Sequence, residues 1–130
     1  MIVSVDTSVW IAFLRRRPVA QPLIRLLEEN VVEVHAFVLA ELVLGNLGDR
    51  HESLLDDLAR LGAPPPRAHE EAMAFISHYA LHRSGIGYVD AHLLASAEVE
   101  RHRLWTLDRD LAHAAKRLGV GFVPQMNTTP

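Results

Sequence analysis

Apolar residues recur along this chain with two different periods, and the switches between them predict its elements. Residues 2–5 (Ile2-Val3-Ser4-Val5) are a short β-branched run that fits a buried strand ending at Asp6. Thr7 and Ser8 are helix-capping types. Val9, Trp10, Phe13 and Leu14 follow at three- and four-residue steps, and Arg15-Arg16-Arg17-Pro18 closes that helix. Pro22 suits the first turn of a second helix carrying Leu23, Leu26 and Leu27. Residues 31–35 alternate towards a second strand. Residues 37–47 are apolar on nearly every side, which predicts a buried helix stopped by Gly45 and Gly48.

The second half repeats the theme. Residues 51–61 are amphipathic, with Leu54, Leu55, Leu58 and Leu61 on one side. Gly62 and Pro64-Pro65-Pro66 mark a loop too short to separate two domains. Residues 68–83 read as one helix with Ala72, Phe75, Ile76, Tyr79 and Ala80 on its core face. Gly85-Ile86-Gly87 breaks the chain before a helix over about residues 89–100. Residues 103–107 (Arg-Leu-Trp-Thr-Leu) read as a strand, 111–118 as a helix capped by Gly119, and 120–123 as a last short strand before a polar tail. Strands alternating with helices predict an α/β fold, a short parallel sheet with helices on both faces, in a single domain over residues 1–130. Trp10 and Trp105 are expected in its core.

Composition adds exclusions. The chain has 130 residues, 49% of them hydrophobic, which is enough for a core and too much for a disordered protein. No apolar stretch approaches the ~18 residues of a membrane span, and no basic segment leads into an apolar one as in a secretory signal. Cysteine is absent, which excludes disulfides and thiolate metal sites and fits a reducing, cytoplasmic setting. A net charge of −3 offers no global attraction to nucleic acid. A local patch is still available, because Arg15-Arg16-Arg17 is a candidate phosphate contact, although arginines at a helix end also complement its dipole. His78 and His82 lie one turn apart without a third ligand and are read as surface residues. His92 is two residues from Asp90, about 200° round a helix, so the two share no face.

Most of the sixteen carboxylates stand in polar settings; four do not. Asp6 closes the first strand. Glu41 is the lone polar residue among 36–44. Asp90 follows the double-glycine break, and Asp108 closes the strand at 103–107. In an open parallel sheet the carboxyl ends of the strands form the ligand-binding edge, and all four acids are expected there. Like charges gathered in one site repel one another. Only Asp108 has a cationic neighbour in sequence, Arg109. A hard divalent cation, Mg²⁺ or Mn²⁺, is the natural counter-charge for oxygen donors without cysteine, and phosphodiester hydrolysis is the chemistry it best supports. Asp6, Asp90 and Asp108 could each serve only as helix caps. Glu41 inside an apolar helix resists so simple an account, since an unpaired buried carboxylate is costly.

Four segments together resemble the successive motifs of PIN-domain ribonucleases: Val5-Asp6-Thr7-Ser8-Val9-Trp10, Leu39-Ala40-Glu41-Leu42-Val43-Leu44-Gly45, Val89-Asp90-Ala91-His92-Leu93-Leu94-Ala95 and Trp105-Thr106-Leu107-Asp108-Arg109-Asp110-Leu111. Their order and the length of the chain are those of VapC-type toxins of bacterial toxin–antitoxin pairs. The resemblance implies a Rossmann-like PIN fold, Mg²⁺- or Mn²⁺-dependent endoribonuclease activity, inhibition by a cognate VapB-type antitoxin, and a homodimer without membrane association. It places Asp6, Glu41, Asp90 and Asp108 on the family's acidic positions. Asp6, Asp90 and Asp108 are then the expected metal ligands, with Glu41 helping to hold the metal and orienting or deprotonating the attacking water. Thr106 is expected to hydrogen-bond within the site. Asp110 competes with Asp108 for the fourth corner, and Asp108 is preferred because it sits at the strand end.

Two other classes compete. A phosphatase of the haloacid dehalogenase type needs an acid two residues after its nucleophile, where this chain has Ser8, and a catalytic lysine, whereas Lys116 is the sole lysine and lies beside a helix end. The alternative that survives is a non-catalytic PIN-fold binding or assembly module, which differs from the ribonuclease in having no metal-dependent activity on RNA.

Overall fold

The computed structural model describes residues 1–125 and contains a three-stranded, all-parallel sheet. Strand β1 (Val3–Val5) lies between β2 (Val32–Glu33) and β3 (Arg103–Trp105). Val3 pairs with Val32 and with Arg103, and Val5 with Trp105. Val3 and Val5 are fully buried and Ser4, on the opposite face, is nearly so. Both faces of the central strand are therefore covered, as a parallel sheet of βα units requires. Helices α1 (Thr7–Leu14), α2 (Pro22–Glu28), α3 (Ala36–Leu44), α4 (His51–Ala59), α5 (His69–His78), α6 (Tyr88–Glu100) and α7 (Arg109–Arg117) supply the cover. No helix among the described residues is long and apolar enough to cross a membrane.

Helix α6 is the centre of the packing. Its run Ala91-His92-Leu93-Leu94-Ala95-Ser96-Ala97 is buried on every side, and its small residues admit neighbours on faces where Leu alone would not. Trp10 and Trp105 are core residues, as expected. Helix α1 ends in paired bonds from Arg16 N–H to Phe13 O and from Arg17 N–H to Ala12 O, with Arg16 in the left-handed conformation (φ 57°). Gly119, at φ 75°, closes α7 in the same way.

Several boundaries differ from the pattern in the sequence. The second strand keeps two residues of the expected 31–35, because Val34 N–H turns to Gly62 O and His35 leaves the sheet to cap α3. The helix expected over 68–83 stops at His78. Ala80 adopts φ 53°, and a 3₁₀ turn over Leu81–Arg83 then seats Leu81 in the core. The third strand stops at Trp105, releasing Thr106 and Leu107 towards the site described below. Residues 120–123 form no strand. Gly121 makes one parallel bridge to Leu104, flanked by bonds from Leu104 N–H to Val120 O and from Phe122 N–H to Leu104 O. The polar tail expected after Val123 lies, from residue 126 onward, outside the described residues.

Helix α3 is the largest departure. Only Val38 and Leu42 are buried; Val43 is half exposed and Leu44 87% exposed. Uniform apolarity did not mean burial on every side, and Glu41 stands on the exposed part of the helix.

Candidate active site

Each of the four acids is presented by a different element at the carboxyl edge of the sheet. Asp6 ends β1 and occupies the N-cap position of α1, yet its side chain makes no capping bond. Its Oδ2 accepts instead from the Ser8 hydroxyl at 2.7 Å and from the Thr106 hydroxyl at 2.7 Å. Capping alone therefore does not explain Asp6, which is 7% exposed. Asp108 follows β3 and does cap its helix: Oδ1 accepts from Leu111 N–H at 2.9 Å. Glu41 extends from α3 and accepts the Thr7 hydroxyl on Oε1 at 2.8 Å. Asp90 sits in the first turn of α6, where its bond with the Gly87 backbone favours the charged form.

These carboxylates act on one another. The Asp90 carboxyl is pushed up to about 6, first by burial and then by the charge of Asp6, with smaller contributions from Asp108 and Glu41; the Gly87 bond opposes the rise. One group thus registers the other three. Among the described residues none of the four forms an ion pair with Arg, Lys or His. The acids surround Asp90 at Coulombic range, without any three of them closing to ligation spacing in this arrangement.

Asp110 is directed elsewhere. A carboxylate oxygen of Asp110 lies 2.8 Å from where a Cβ at Gly85 would stand, so it packs against the loop before α6. Asp110 is absent from the charges that act on Asp90, whereas Asp108 is among them.

Two site residues escaped the reading of the sequence. Ser8 donates to Asp6 and accepts Leu107 N–H at 2.9 Å, tying the first turn of α1 to the loop after β3. Thr7 holds Glu41. The available signal was two hydroxyl residues immediately after a strand-ending aspartate, attributed there to capping alone. Thr106 is in the site as expected, bonded to Asp6 and accepting Asp108 N–H at 3.0 Å. Arg15, Arg16 and Arg17 are exposed and make no ion pair among the described residues. His78 and His82 are exposed, as expected for surface residues.

The sequence did not suggest a chain of rings that meet in edge-to-face and tilted contacts. Phe37 lies 5.1 Å from the His35 ring and 4.8 Å from His92, and Tyr88 lies 4.7 Å from His92 and 5.5 Å from His69. It joins the start of α3, which carries Glu41, to the first turns of α6, which carry Asp90. Burial, with the neighbouring His92, lowers His35 to about 4; burial and His69 lower His92. His35 is therefore neutral at pH 7, with Nδ1 accepting Phe37 N–H at 3.0 Å.

A strand-edge cluster of four carboxylates on a short parallel sheet defines the class, and comparison with known proteins agrees: the PIN domain profile matches residues 3–117, and the chain belongs to the PIN-domain family. Within the family it is of the VapC type. It is 37% identical over 127 residues to Ribonuclease VapC32 of Mycobacterium tuberculosis, covering 97% of this chain and all of that protein. Solved structures share the fold. PAE2754 from Pyrobaculum aerophilum superposes with a TM-score of 0.62 at 17% identity, covering 92% of this chain and 96% of that one. FitAcB from Neisseria gonorrhoeae gives 0.60 at 20% identity, covering 88% and 94%.

Proposed function

We propose that this chain is an endoribonuclease that hydrolyses RNA phosphodiester bonds with Mg²⁺ or Mn²⁺, acting as the toxin of a VapBC-type pair. The observation that carries the proposal is the gathering of Asp6, Glu41 and Asp108 around Asp90, with none of the four in an ion pair among the described residues. Identity to a ribonuclease across the whole of its length supports RNA as the substrate. VapC-type likeness extends the proposal to inhibition by a VapB-type antitoxin and to a homodimer.

The donor set fits a hard cation. In Asp6, Glu41 and Asp108 one carboxylate oxygen takes a bond from the protein and the other has no protein partner among the described residues. Asp6, Asp90 and Asp108 would hold the ion, with Glu41 contributing. When bound, such an ion supplies polarisation of phosphate oxygens and a lowered pKa for water. The protein's own part is positioning. Ser8 and Thr106 hold Asp6 Oδ2, the Leu111 amide holds Asp108 Oδ1, and the Thr7 hydroxyl holds Glu41 Oε1. Glu41 is the group assigned to orient the attacking water and take its proton, and its exposure leaves it open to solvent.

Incubation of the purified protein with RNA tests the proposal. Cleavage is expected with Mg²⁺ or Mn²⁺, to stop in EDTA, and to be absent in Asp6→Asn at every metal concentration. Cleavage that survives chelation would overturn the metal mechanism, and RNA left intact under all conditions would favour the non-catalytic binding module.

A further inference from the structure

A cleft of about 280 Å³ lies between α1 and the segment running from α3 to Leu47, and Glu41 is one of its walls. Its apolar surface comes from Ile11, Leu14, Leu42 and Leu47. Its polar lining is Arg15 and Asn46 together with Glu41. Arg15 has no acidic partner among the described residues, so its guanidinium is free to pair with an anion. Asn46 spends its carbonyl oxygen on Gly48 N–H at 2.9 Å, which leaves its amide NH₂ as a donor. Gly45 lines the cleft without a side chain, and a Cβ there would meet nothing closer than the Leu42 carbonyl at 3.5 Å.

We infer that this cleft is a nucleotide subsite of the RNA-binding surface, taking one unpaired nucleotide next to the scissile phosphate; the inference rests on the ribonuclease assignment. An apolar floor suits the face of a base, the Asn46 amide suits an acceptor on its edge, and Arg15 suits the adjoining phosphate. Glu41 belongs to both the cleft and the acid cluster, so a base seated here continues directly into the site of cleavage. The volume admits a single nucleotide, and base-paired RNA could not enter, because the base must lie free of its partner. The occupant is therefore single-stranded RNA. Arg15 gives the otherwise acidic edge a local attraction for phosphate that the net charge of −3 does not provide.

Gly45→Leu tests the subsite, because residue 45 has φ −82° and ψ 171°, open to any side chain, and leucine would occupy the cleft beside Glu41 while leaving all four acids in the chain. A fluorescently labelled single-stranded oligoribonucleotide is titrated by anisotropy in the Asp6→Asn background, so that no RNA is consumed. Gly45→Leu should weaken binding by about tenfold, equivalent to about 1.4 kcal/mol, because its side chain takes the space of the base. Arg15→Gln should weaken it several-fold and flatten the salt dependence of log Kd by about 0.7, one phosphate on a single strand. Thermal melts check that both variants remain folded. Wild-type affinity in both folded variants overturns the subsite. In the Asp6-intact protein, normal cleavage with an unchanged KM in Gly45→Leu overturns the subsite alone, whereas absence of cleavage by the wild type under every metal overturns the ribonuclease assignment beneath it. If Gly45→Leu leaves RNA binding intact and abolishes only inhibition by the antitoxin, the cleft is a peptide site and the inference is wrong.

Discussion

Thr106 donates its hydroxyl hydrogen to Asp6 Oδ2 at 2.7 Å while accepting the Asp108 amide at 3.0 Å. One hydroxyl therefore couples the acid that ends β1 to the acid that follows β3, although Thr106 and Asp6 are 100 residues apart in the chain. Ser8 runs alongside, with its oxygen 3.3 Å from that of Thr106. The two hydroxyls direct Asp6 without adding charge, so they orient a carboxylate while leaving its affinity for a cation available.

Thr106→Val preserves shape and removes that coupling. It leaves the Asp108 amide without its acceptor, at a cost of about 1–3 kcal/mol of stability. Cleavage of RNA should fall at least tenfold, and Thr106→Ser should recover most of it. Steady-state kinetics with urea melts on the three proteins measure both effects; a valine variant as active as wild type would remove Thr106 from the site.

Asp108 and Asp110 should separate in a titration of metal binding. Asp108 acts on Asp90, whereas Asp110 packs against Gly85. Asp108→Asn, which keeps a capping oxygen for Leu111 N–H, should weaken Mg²⁺ binding by an order of magnitude more than Asp110→Asn. Calorimetry on both variants decides, and equal losses would mean that the corner is shared.

Replacing Asp90 should stabilise the metal-free protein. Asp90→Asn keeps the size and the acceptor for Gly87 while removing one charge from a site with three others. In EDTA the variant should melt a few degrees above the wild type, the equivalent of about 1 kcal/mol for a domain of this size. Excess Mg²⁺ should raise the wild-type melt by mass action and shift the variant much less. A variant no more stable than wild type, with Mg²⁺ moving neither melt, would refute the convergence of charges.

His35 should give the protein an acid-sensitive step. Its pKa is about 4 when folded and near 6.5 when unfolded, so protons bind preferentially to the unfolded chain. The stability contributed by neutral His35 is complete above pH 6.5 and is lost as pH falls from 6.5 towards 4, by on the order of 2–3 kcal/mol. His35→Asn retains a capping acceptor for Phe37 N–H and should flatten stability over that range in urea melts. An unchanged slope between pH 6.5 and 4 would place the sensitivity elsewhere.

The sequence by itself determined the alternation of strands and helices, the parallel sheet, and the placement of Asp6 and Asp108 at its carboxyl edge. These follow from local periodicity and from the direction in which a βα unit runs. It also preferred Asp108 over Asp110 from its strand-end position, a choice that the metal titration of the two variants decides. Tertiary structure alone decided what depends on partners distant in the chain. Whether apolar α3 would be buried all round depended on how many neighbours reached it, and few did, so Glu41 is exposed. The end of α5 depended on seating Leu81 in the core, which no glycine or proline announced. The hydrogen bonds of Ser8 and Thr106 to Asp6, and the rings joining His35 to His92, required β1 with β3 and α3 with α6 to be brought together first. Side-chain chemistry is written residue by residue, but the environment that shifts Asp90 is assembled from four separate elements, and only folding sums their charges.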